Sequence, residues 1–142
     1  LARWSFDIEL RIVLSKLNYK RLPQLAHFIY RNLPFVRFIS LMGLEYTGYT
    51  IKNAEQVWID PVDMAEPLCE ATLFLASTGL DVSIFNLSQC VLPECIWPFA
   101  RKSISDWKNH YEPFCDQCRL KVDCCGLFTT SKKQSSNLHP IQ

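Results

Sequence analysis

The stretch Phe35-Val36-Arg37-Phe38-Ile39-Ser40-Leu41-Met42 decides the fold, because its length and largely apolar composition predict a buried strand. Upstream of it, Phe6–Leu14 alternates apolar and charged residues and then turns fully apolar, which predicts a strand with one exposed end. Between the two, apolar residues recur at helical spacing from Leu22 to Leu33, and Pro23 stands in the first turn, where its missing N–H is no loss. Strand, helix and strand with short connections predict a βαβ unit with parallel pairing.

The strand–helix–strand pattern repeats downstream. Asp60-Pro61 predicts the start of a second helix, Thr78-Gly79 its end, and Leu80–Asn86 a third strand. Gln56–Ile59 is interpreted as either a short strand or an approach segment to that helix. The predicted fold class is α/β with about three parallel βα units, and one possibility is a partial (β/α) barrel of TIM type, since three strands are too few to close a barrel of eight. An incomplete sheet, or a domain that relies on a missing partner half, is equally open at this point.

A boundary follows Asn86, where the periodic pattern gives way to Pro, Trp, Cys and polar residues. The chain therefore divides into residues 1–86, an α/β unit, residues 87–130, an irregular cysteine-rich region, and residues 131–142, a polar tail expected to be flexible. Leu1 is not an initiator methionine, so we expect the chain to be a fragment whose N-terminal part lies elsewhere.

Charge and hydropathy exclude several classes of partner. The formal net charge is +1, so the sequence lacks the excess of positive charge that is typical of nucleic-acid-binding proteins. No apolar run reaches the roughly 18 residues of a membrane span, and Leu1–Arg11 is no signal peptide, so we expect a cytoplasmic protein without membrane contact. Seven cysteines are an odd number, and they cluster toward the C-terminus, which favours metal or cluster ligation over a disulfide framework.

The stretch Cys115–Gly126 holds four of the seven cysteines. Cys115 and Cys118 are spaced C-x2-C, and Cys124 follows after five further residues. A C-x2-C turn lets two thiolates converge on one metal, because the backbone folds back and its N–H groups point at the sulfurs. The spacing predicts ligands at these three positions and fits a zinc ion and an iron–sulfur cluster equally well.

The fourth ligand is open among the remaining cysteines. Cys90 is favoured because it directly follows a predicted strand end, where ligands concentrate, and Cys95 is its main rival. Cys125 is expected to bind nothing, since adjacent thiolates rarely reach one metal without strain. Cys69 lies on the apolar side of the second helix and is expected to be a small core residue. Three aromatic residues are expected to supply the apolar shell of such a site: Trp97, Phe99 and Trp107.

Polar residues stand at the C-terminal ends of the predicted strands, where ligand chemistry gathers in parallel α/β folds. Ser15 and Asn18 follow the first strand, Glu45 follows the second, and Asn86 ends the third. Three of these residues also have an ordinary structural explanation. Ser15 and Asn18 can start a turn and cap the next helix, and Glu45 can be a solvated loop acid.

Several strings within this pattern match a known family. Together with the C-x2-C-x5-C spacing, they resemble the C-terminal part of radical S-adenosylmethionine (SAM) enzymes with an auxiliary cluster of SPASM type, and more narrowly the maturase of the His-Xaa-Ser repeat peptide system. The resemblance covers nearly the whole chain, and the last string is its most specific part. The strings are Leu22-Pro23-Gln24-Leu25-Ala26, Asn32-Leu33-Pro34-Phe35-Val36, Leu41-Met42-Gly43-Leu44-Glu45, Trp97-Pro98-Phe99-Ala100 and Ser103-Ile104-Ser105-Asp106-Trp107-Lys108-Asn109.

The resemblance implies a radical enzyme that modifies a ribosomally made peptide with His-Xaa-Ser-type repeats. Such enzymes hold a [4Fe–4S] cluster in a CxxxCxxC loop and use it to cleave SAM to a 5′-deoxyadenosyl radical. The chain has neither CxxxCxxC nor a Gly-Gly-Glu-type motif, so it would be the C-terminal portion and would not be active alone. If the N-terminal half is separately encoded, the chain is a truncated pseudo-enzyme and its partner is a maturase subunit.

The resemblance also implies roles for particular residues. It assigns one side of the SAM pocket to the strand-end residues Ser15, Asn18, Glu45 and Asn86. It assigns an auxiliary [4Fe–4S] cluster to Cys115, Cys118 and Cys124, with Cys90 as the fourth ligand. A further SPASM cysteine would stand where Phe128 is, which weighs against a second auxiliary cluster. The alternative is a zinc-stabilised α/β protein-interaction module without catalysis, in which the same cysteines bind Zn²⁺.

Overall fold

The computed structural model describes residues 7–102 and 109–142. Its centre is a three-stranded sheet formed by β1 (Ile8–Leu14), β2 (Val36–Gly43) and β3 (Asp81–Phe85), in the order β1-β2-β3. Both strand pairs are parallel. The α/β class with three parallel strands, predicted from the sequence, is thereby confirmed.

Two long helices lie in the connections between the three strands. α1 (Leu22–Asn32) lies between β1 and β2, and its first turn contains Pro23, as predicted. The second long helix, Ala65–Ser77, precedes β3 and follows a 3-10 turn at Pro61–Met64. The side chain of Asp60 caps that turn by accepting the backbone N–H of Val62 at 3.2 Å. Gly79 ends the helix with a φ of 84°, the left-handed conformation that the sequence predicts there.

The connection between β2 and the second long helix differs from one of the two sequence interpretations. A short strand at Gln56–Ile59 is wrong, because this part of the chain forms two single-turn helices, α2 (Tyr49–Lys52) and α3 (Ala54–Val57). Trp58 then takes an extended conformation and leads into the capped 3-10 turn. The Pro61–Met64 turn and the helix Ala65–Ser77, called α4 from here on, therefore follow an approach segment rather than a fourth strand.

The two faces of the sheet differ in their surroundings. On one face the strand residues are buried under α1 and α4 and form the core: Leu14, Ile39, Leu41, Val82 and Ile84, with Leu22, Ala26 and Ile29 of α1 and Leu68, Ala71 and Leu75 of α4. On the opposite face the register aligns Glu9 with Phe38 and Asp81. Phe38 is 40% exposed, and Glu9 and Asp81 are exposed as well. Within the described residues, helices cover only one face of this parallel sheet.

Beyond β3 the described residues form short elements. They include 3-10 turns at Gln89–Val91, Glu94–Phe99 and Pro113–Gln117. A two-residue strand β4 (Asn109–His110) pairs antiparallel with β5 (Leu127–Phe128). No helix in the two described ranges is both long and apolar enough to cross a bilayer.

Residues 131–142, for which the sequence predicts flexibility, lie against the rest of the chain. Ser135 donates its hydroxyl hydrogen to Asp60 Oδ1 at 2.7 Å, and Lys133 Nζ stands 3.8 Å from the ring centroid of Trp58. Near the C-terminus, Arg119 donates its backbone N–H to the carbonyl oxygen of Ile141 at 3.0 Å. The flexibility of this tail and the division at residues 87 and 131 stay predictions.

Candidate metal centre

Four cysteines line one small cavity beside the C-terminal end of β3. They are Cys90, Cys115, Cys118 and Cys124, which are the four residues that the sequence predicts as ligands. Cys90 comes from the 3-10 turn just after β3, whereas the other three come from the stretch that follows β4. The cavity has a volume of about 20 Å³. Tertiary structure thus brings together thiols from two separate parts of the sequence.

Local backbone hydrogen bonds form the C-x2-C turn. Cys115 donates its backbone N–H to the carbonyl oxygen of Glu112 at 2.8 Å, and Cys118 donates its own to Cys115 at 3.0 Å. Pro113 begins the 3-10 turn at a position where no N–H is required. Cys115 lies within the 3-10 turn Pro113–Gln117, and Cys118 directly follows it. The two cysteines are therefore one turn apart, which is the arrangement that the spacing predicts.

Backbone N–H groups point at the sulfurs. Gly126 donates its N–H to Cys124 Sγ at 3.4 Å, and Ile141 donates its N–H to Cys118 Sγ at 3.4 Å. The backbone of His139 hydrogen-bonds to the sulfur of Cys90. Such N–H donors stabilise thiolates and tune the potential of clusters bound by them. Four thiols with N–H donors form a donor set that suits zinc and iron–sulfur clusters alike.

The cavity environment affects the thiols unequally. A hydrogen bond from the Cys125 side chain, aided by the backbone of Gly126 and Gln89, lowers the pKa of Cys124 to about 6. Burial raises the pKa of Cys90 and that of Cys115. Since the thiolate is the form that binds metals, Cys124 is the thiol best prepared for ligation at neutral pH.

Cys125 lies beside the cavity without lining it. It is buried, with 5% of its surface exposed, and its thiol lies 3.4 Å from the carbonyl oxygen of Gly126. The hydrogen bond with Cys124 and burial raise the pKa of Cys125 well above its ordinary value. Cys125 is therefore a neutral donor to the sulfur of Cys124, a role that the sequence interpretation missed. The expectation that it binds no metal stays a prediction.

Cys95, the rival fourth ligand, lies elsewhere. Its sulfur stands 2.6 Å from the sulfur of Cys69 on α4, and neither residue lines the four-cysteine cavity. Cys69 packs at the edge of the core, as expected for a small apolar residue on this helix. The structure therefore groups Cys90, and not Cys95, with the C-x2-C-x5-C cysteines.

The apolar shell of the cavity comes from residues that the sequence did not single out: Phe114, Leu120, Leu127, Leu138 and Ile141. Trp97 was expected in this shell, and that expectation is wrong, because its indole N–H instead bonds to the carbonyl oxygens of Gln89 and Leu92 at 2.9 and 3.0 Å. Phe99 packs against the main core and is also absent from the lining. Trp107 lies outside the described residues.

The four thiols share a cavity without meeting at one point. Among the residues that the structure describes, no three histidine, cysteine, aspartate or glutamate side chains are grouped closely enough to hold a metal ion. All seven cysteines are free thiols. Metal ligation by these four thiols stays a prediction.

A second cavity, of about 70 Å³, lies at the C-terminal edge of the parallel sheet. It is lined by Leu14 from β1, by Glu45 after β2 and by Asn86 after β3, together with residues of the C-terminal tail. Glu45 accepts a hydrogen bond from the hydroxyl of Thr130, and Asn86 has a φ of 63°. The structure therefore brings two of the four strand-end candidates to one cavity.

Ser15 and Asn18 take no part in that cavity lining. Asn18 Oδ1 accepts the backbone N–H of Ser15 at 2.9 Å, and Asn18 Nδ2 donates to the carbonyl oxygen of Val13 at 2.8 Å. The two side chains thus stabilise the turn that leaves β1, an ordinary structural role for serine and asparagine. Their expected contact with SAM stays a prediction.

No family model matches the chain, and no curated protein and no solved structure shows significant similarity to it. The resemblance to radical SAM maturases therefore rests on short sequence matches and the cysteine spacing alone. Its most specific string falls largely on residues 103–108, outside the described part of the chain.

Three contributors to the site escaped the sequence interpretation. Ser88 donates its hydroxyl hydrogen to the carbonyl oxygen of Gly126 at 2.7 Å, and Tyr111 donates its own to the carbonyl oxygen of Cys124 at 2.8 Å. The third is the backbone at His139 and Ile141, which faces two of the sulfurs. The glycine directly after Cys124-Cys125 was the one available signal, since glycine is common where backbone approaches a site closely.

Proposed function

We propose that the chain is the C-terminal portion of a radical SAM peptide maturase, and that Cys90, Cys115, Cys118 and Cys124 hold an auxiliary [4Fe–4S] cluster. The observation that carries this proposal is the cavity shared by these four thiols. Four cysteinyl thiolates are the usual ligand set of a [4Fe–4S] cluster, and backbone N–H groups directed at the sulfurs are typical of its surroundings.

The sheet face opposite α1 and α4 supports the proposal of a partial barrel. Parallel sheets are normally covered on both faces, yet Phe38, Glu9 and Asp81 are exposed opposite the helices. Within the described residues, β1 pairs only with β2, so its other edge offers free backbone hydrogen-bonding groups. Further parallel strands added at that edge would extend the sheet toward a barrel and enclose the uncovered face.

The cavity at the sheet edge can form only one side of a cofactor pocket. Its volume of about 70 Å³ is well below the roughly 300 Å³ of the smallest usual ligand pockets. SAM therefore does not fit into the described residues as they stand. Glu45 and Asn86 are the side chains that we propose as its contacts when the N-terminal half is present, with Ser15 and Asn18 supporting the adjoining turn.

The expected partners follow from the same proposal. The substrate is a peptide with His-Xaa-Ser-type repeats, and the missing half is either an N-terminal segment of the same protein or a separate maturase subunit. We place the protein in the cytoplasm, where thiols stay reduced and available for cluster ligation.

Iron and labile-sulfide analysis tests the cofactor. The chain is purified anaerobically and incubated with ferrous iron and sulfide, and a desalted sample is assayed. We expect about four irons and four sulfides per chain, the stoichiometry of one [4Fe–4S] cluster, with broad visible absorption. A chain that binds less than half an equivalent of iron under these conditions contradicts the auxiliary cluster.

A zinc-stabilised interaction module is the second candidate, and the size of the four-cysteine cavity favours it. A volume of about 20 Å³ corresponds to about one water molecule, which suits a single ion better than an eight-atom cluster. In this case the same analysis gives one zinc per chain without sulfide, and the sample is colourless. Binding of neither metal would overturn both candidates.

A further inference from the structure

Cys69 and Cys95 form a second thiol site, separate from the four-cysteine cavity. Cys69 lies in α4, and Cys95 lies in the 3-10 turn Glu94–Phe99. Their sulfurs are 2.6 Å apart, closer than two sulfur atoms in simple van der Waals contact. The two residues are far apart in sequence, so it is the packing of the turn against α4 that places them together.

The frame that holds this pair is rigid on both sides. Next to Cys69, Leu68 is fully buried in the main core, and next to Cys95, Ile96 is fully buried as well. Trp97 further fixes the turn through its indole N–H, which bonds to the carbonyl oxygens of Gln89 and Leu92. The contact between the two sulfurs therefore follows from well-packed backbone on each side.

The pair is also accessible from solvent. Cys95 is exposed, and Cys69 is half-buried beside it. A small oxidant can reach Cys95 without opening the core. Desolvation raises the pKa of Cys69 to about 11, so that this thiol stays protonated at neutral pH and the exposed Cys95 reacts first.

We propose that Cys69 and Cys95 are a reversible redox pair that closes to a disulfide in exchange with a small-molecule disulfide such as oxidised glutathione. The Cys95 thiolate attacks one glutathione sulfur, forms a mixed disulfide and releases one glutathione thiolate, which takes up a proton. The Cys69 thiol then loses its proton and attacks the Cys95 sulfur, and the second glutathione leaves as its thiol. Two cysteine thiols are oxidised and one glutathione disulfide is reduced to two thiols, so atoms and electrons balance.

The disulfide would act on the four-cysteine cavity from a distance. It would tie α4 covalently to the turn Glu94–Phe99 at Cys95, five residues beyond Cys90, and Trp97 of the same turn is hydrogen-bonded to Gln89, the neighbour of Cys90. Oxidation therefore restrains the segment that carries one proposed ligand. In a cytoplasmic protein such a disulfide is expected to be transient and to report the redox state.

Peptide mapping after redox equilibration tests the proposal. The anaerobically purified chain, loaded with iron and sulfide or with zinc, is incubated in buffers of increasing ratio of oxidised to reduced glutathione. Free thiols are then blocked with N-ethylmaleimide, and the digest is analysed by mass spectrometry without reduction. We expect a Cys69–Cys95 linkage in most chains at the oxidising end, its loss on returning to reduced glutathione, and a melting temperature raised by roughly 5 °C or more in the oxidised form.

The matched variants are Cys69→Ser and Cys95→Ser, with Ser77→Ala, an exposed position on α4, as control. Each of the first two should abolish the linkage and the rise in melting temperature, whereas the control should keep both. A Cys95 that stays as a mixed disulfide with glutathione, or that links to a cysteine of the cavity, overturns the proposal. Because the linkage is measured in the unmodified chain, the result stands even if a variant fails to fold, and it does not depend on which metal occupies the cavity.

Discussion

Ser88 and Gly126 are joined by a hydrogen bond of 2.7 Å from the serine hydroxyl to the glycine carbonyl oxygen. Ser88 is 6% exposed and lies between β3 and Cys90, whereas Gly126 follows Cys124 and Cys125. This contact ties the end of the parallel sheet to the cysteine-rich segment, two residues from Cys90 on one side and two residues from Cys124 on the other.

The first prediction concerns this hydrogen bond. We expect Ser88→Ala to lower the free energy of unfolding by about 1–2 kcal/mol, because the partly buried carbonyl oxygen of Gly126 loses its main donor. Urea denaturation followed by far-UV circular dichroism measures the change. Ser77→Ala is the control, since the Ser77 hydroxyl bonds to Phe74 within α4 and is exposed, and its removal should cost less than about 0.5 kcal/mol. Equal effects of the two substitutions would show that the Ser88 contact does not join the two segments.

The second prediction concerns Gly126. It has a φ of 66°, and a Cβ atom there would lie 2.7 Å from the carbonyl oxygen of His110, so Gly126→Ala meets both backbone strain and a clash with β4. We expect a loss of stability of about 2–4 kcal/mol together with weaker metal loading.

The matched control is Gly79→Ala. Gly79 also has a positive φ, 84°, but a Cβ atom there would meet nothing within 4 Å. Its substitution should therefore cost only the conformational strain of about 1 kcal/mol and leave metal loading unchanged. The thermal midpoints of both variants measure the difference, and a larger effect at Gly79 would contradict the close approach at Gly126.

The third prediction separates the two candidates for the fourth ligand. We expect Cys90→Ser to lose most of the bound iron, or most of the bound zinc if the site takes zinc, because one of four ligands is removed. Cys95→Ser should bind as much metal as the unsubstituted chain, since Cys95 contacts Cys69 instead of lining the cavity. Metal analysis of the two proteins after identical reconstitution measures both effects, and the reverse pattern would assign the ligand to Cys95.

The fourth prediction concerns the pH dependence of Cys69. Its pKa is about 11 against an ordinary value of 9.0, chiefly because burial disfavours the thiolate. The alkylation rate follows the thiolate fraction, so in the reduced folded chain we expect the rate at Cys69 to rise about tenfold per pH unit without levelling off below pH 10. Peptide-resolved mass spectrometry after timed iodoacetamide pulses measures the rate. In the urea-unfolded chain the rise should level off near pH 9, close to the ordinary thiol pKa, and the same behaviour in the folded chain would show that burial does not control this thiol.

Much of the α/β half was predictable, because local patterns encode it. The apolar run ending at Met42 is β2, the helical spacing after Pro23 is α1, and the glycine at position 79 ends α4. The error at Gln56–Ile59 has a local cause. Four residues are too few to distinguish a strand from a helical turn by periodicity, and the capped turn at Asp60 decided the path of the chain.

The candidate site was predictable only in part. The C-x2-C-x5-C spacing marked three thiols, and the position of Cys90 after a strand marked the fourth. The apolar shell was mispredicted, because the bulk of Trp97 says nothing about where its indole ring packs, and the ring is oriented by the carbonyl oxygens of Gln89 and Leu92. No spacing rule predicts that Cys95 meets Cys69, since that contact depends on how the turn packs on a distant helix.

The sequence by itself determined the strands, the long helices and the C-x2-C turn, because hydrophobic period, proline and glycine positions and cysteine spacing act over a few residues. Only the tertiary structure decided which thiols share a cavity and which form a separate pair. The β3 end carries Cys90 to the cysteine-rich segment, and the hydrogen bond from Ser88 to Gly126 holds the two together. The packing of α4 places Cys69 beside Cys95. Such contacts between residues distant in sequence arise from long-range packing and hydrogen bonding, which no local sequence pattern encodes.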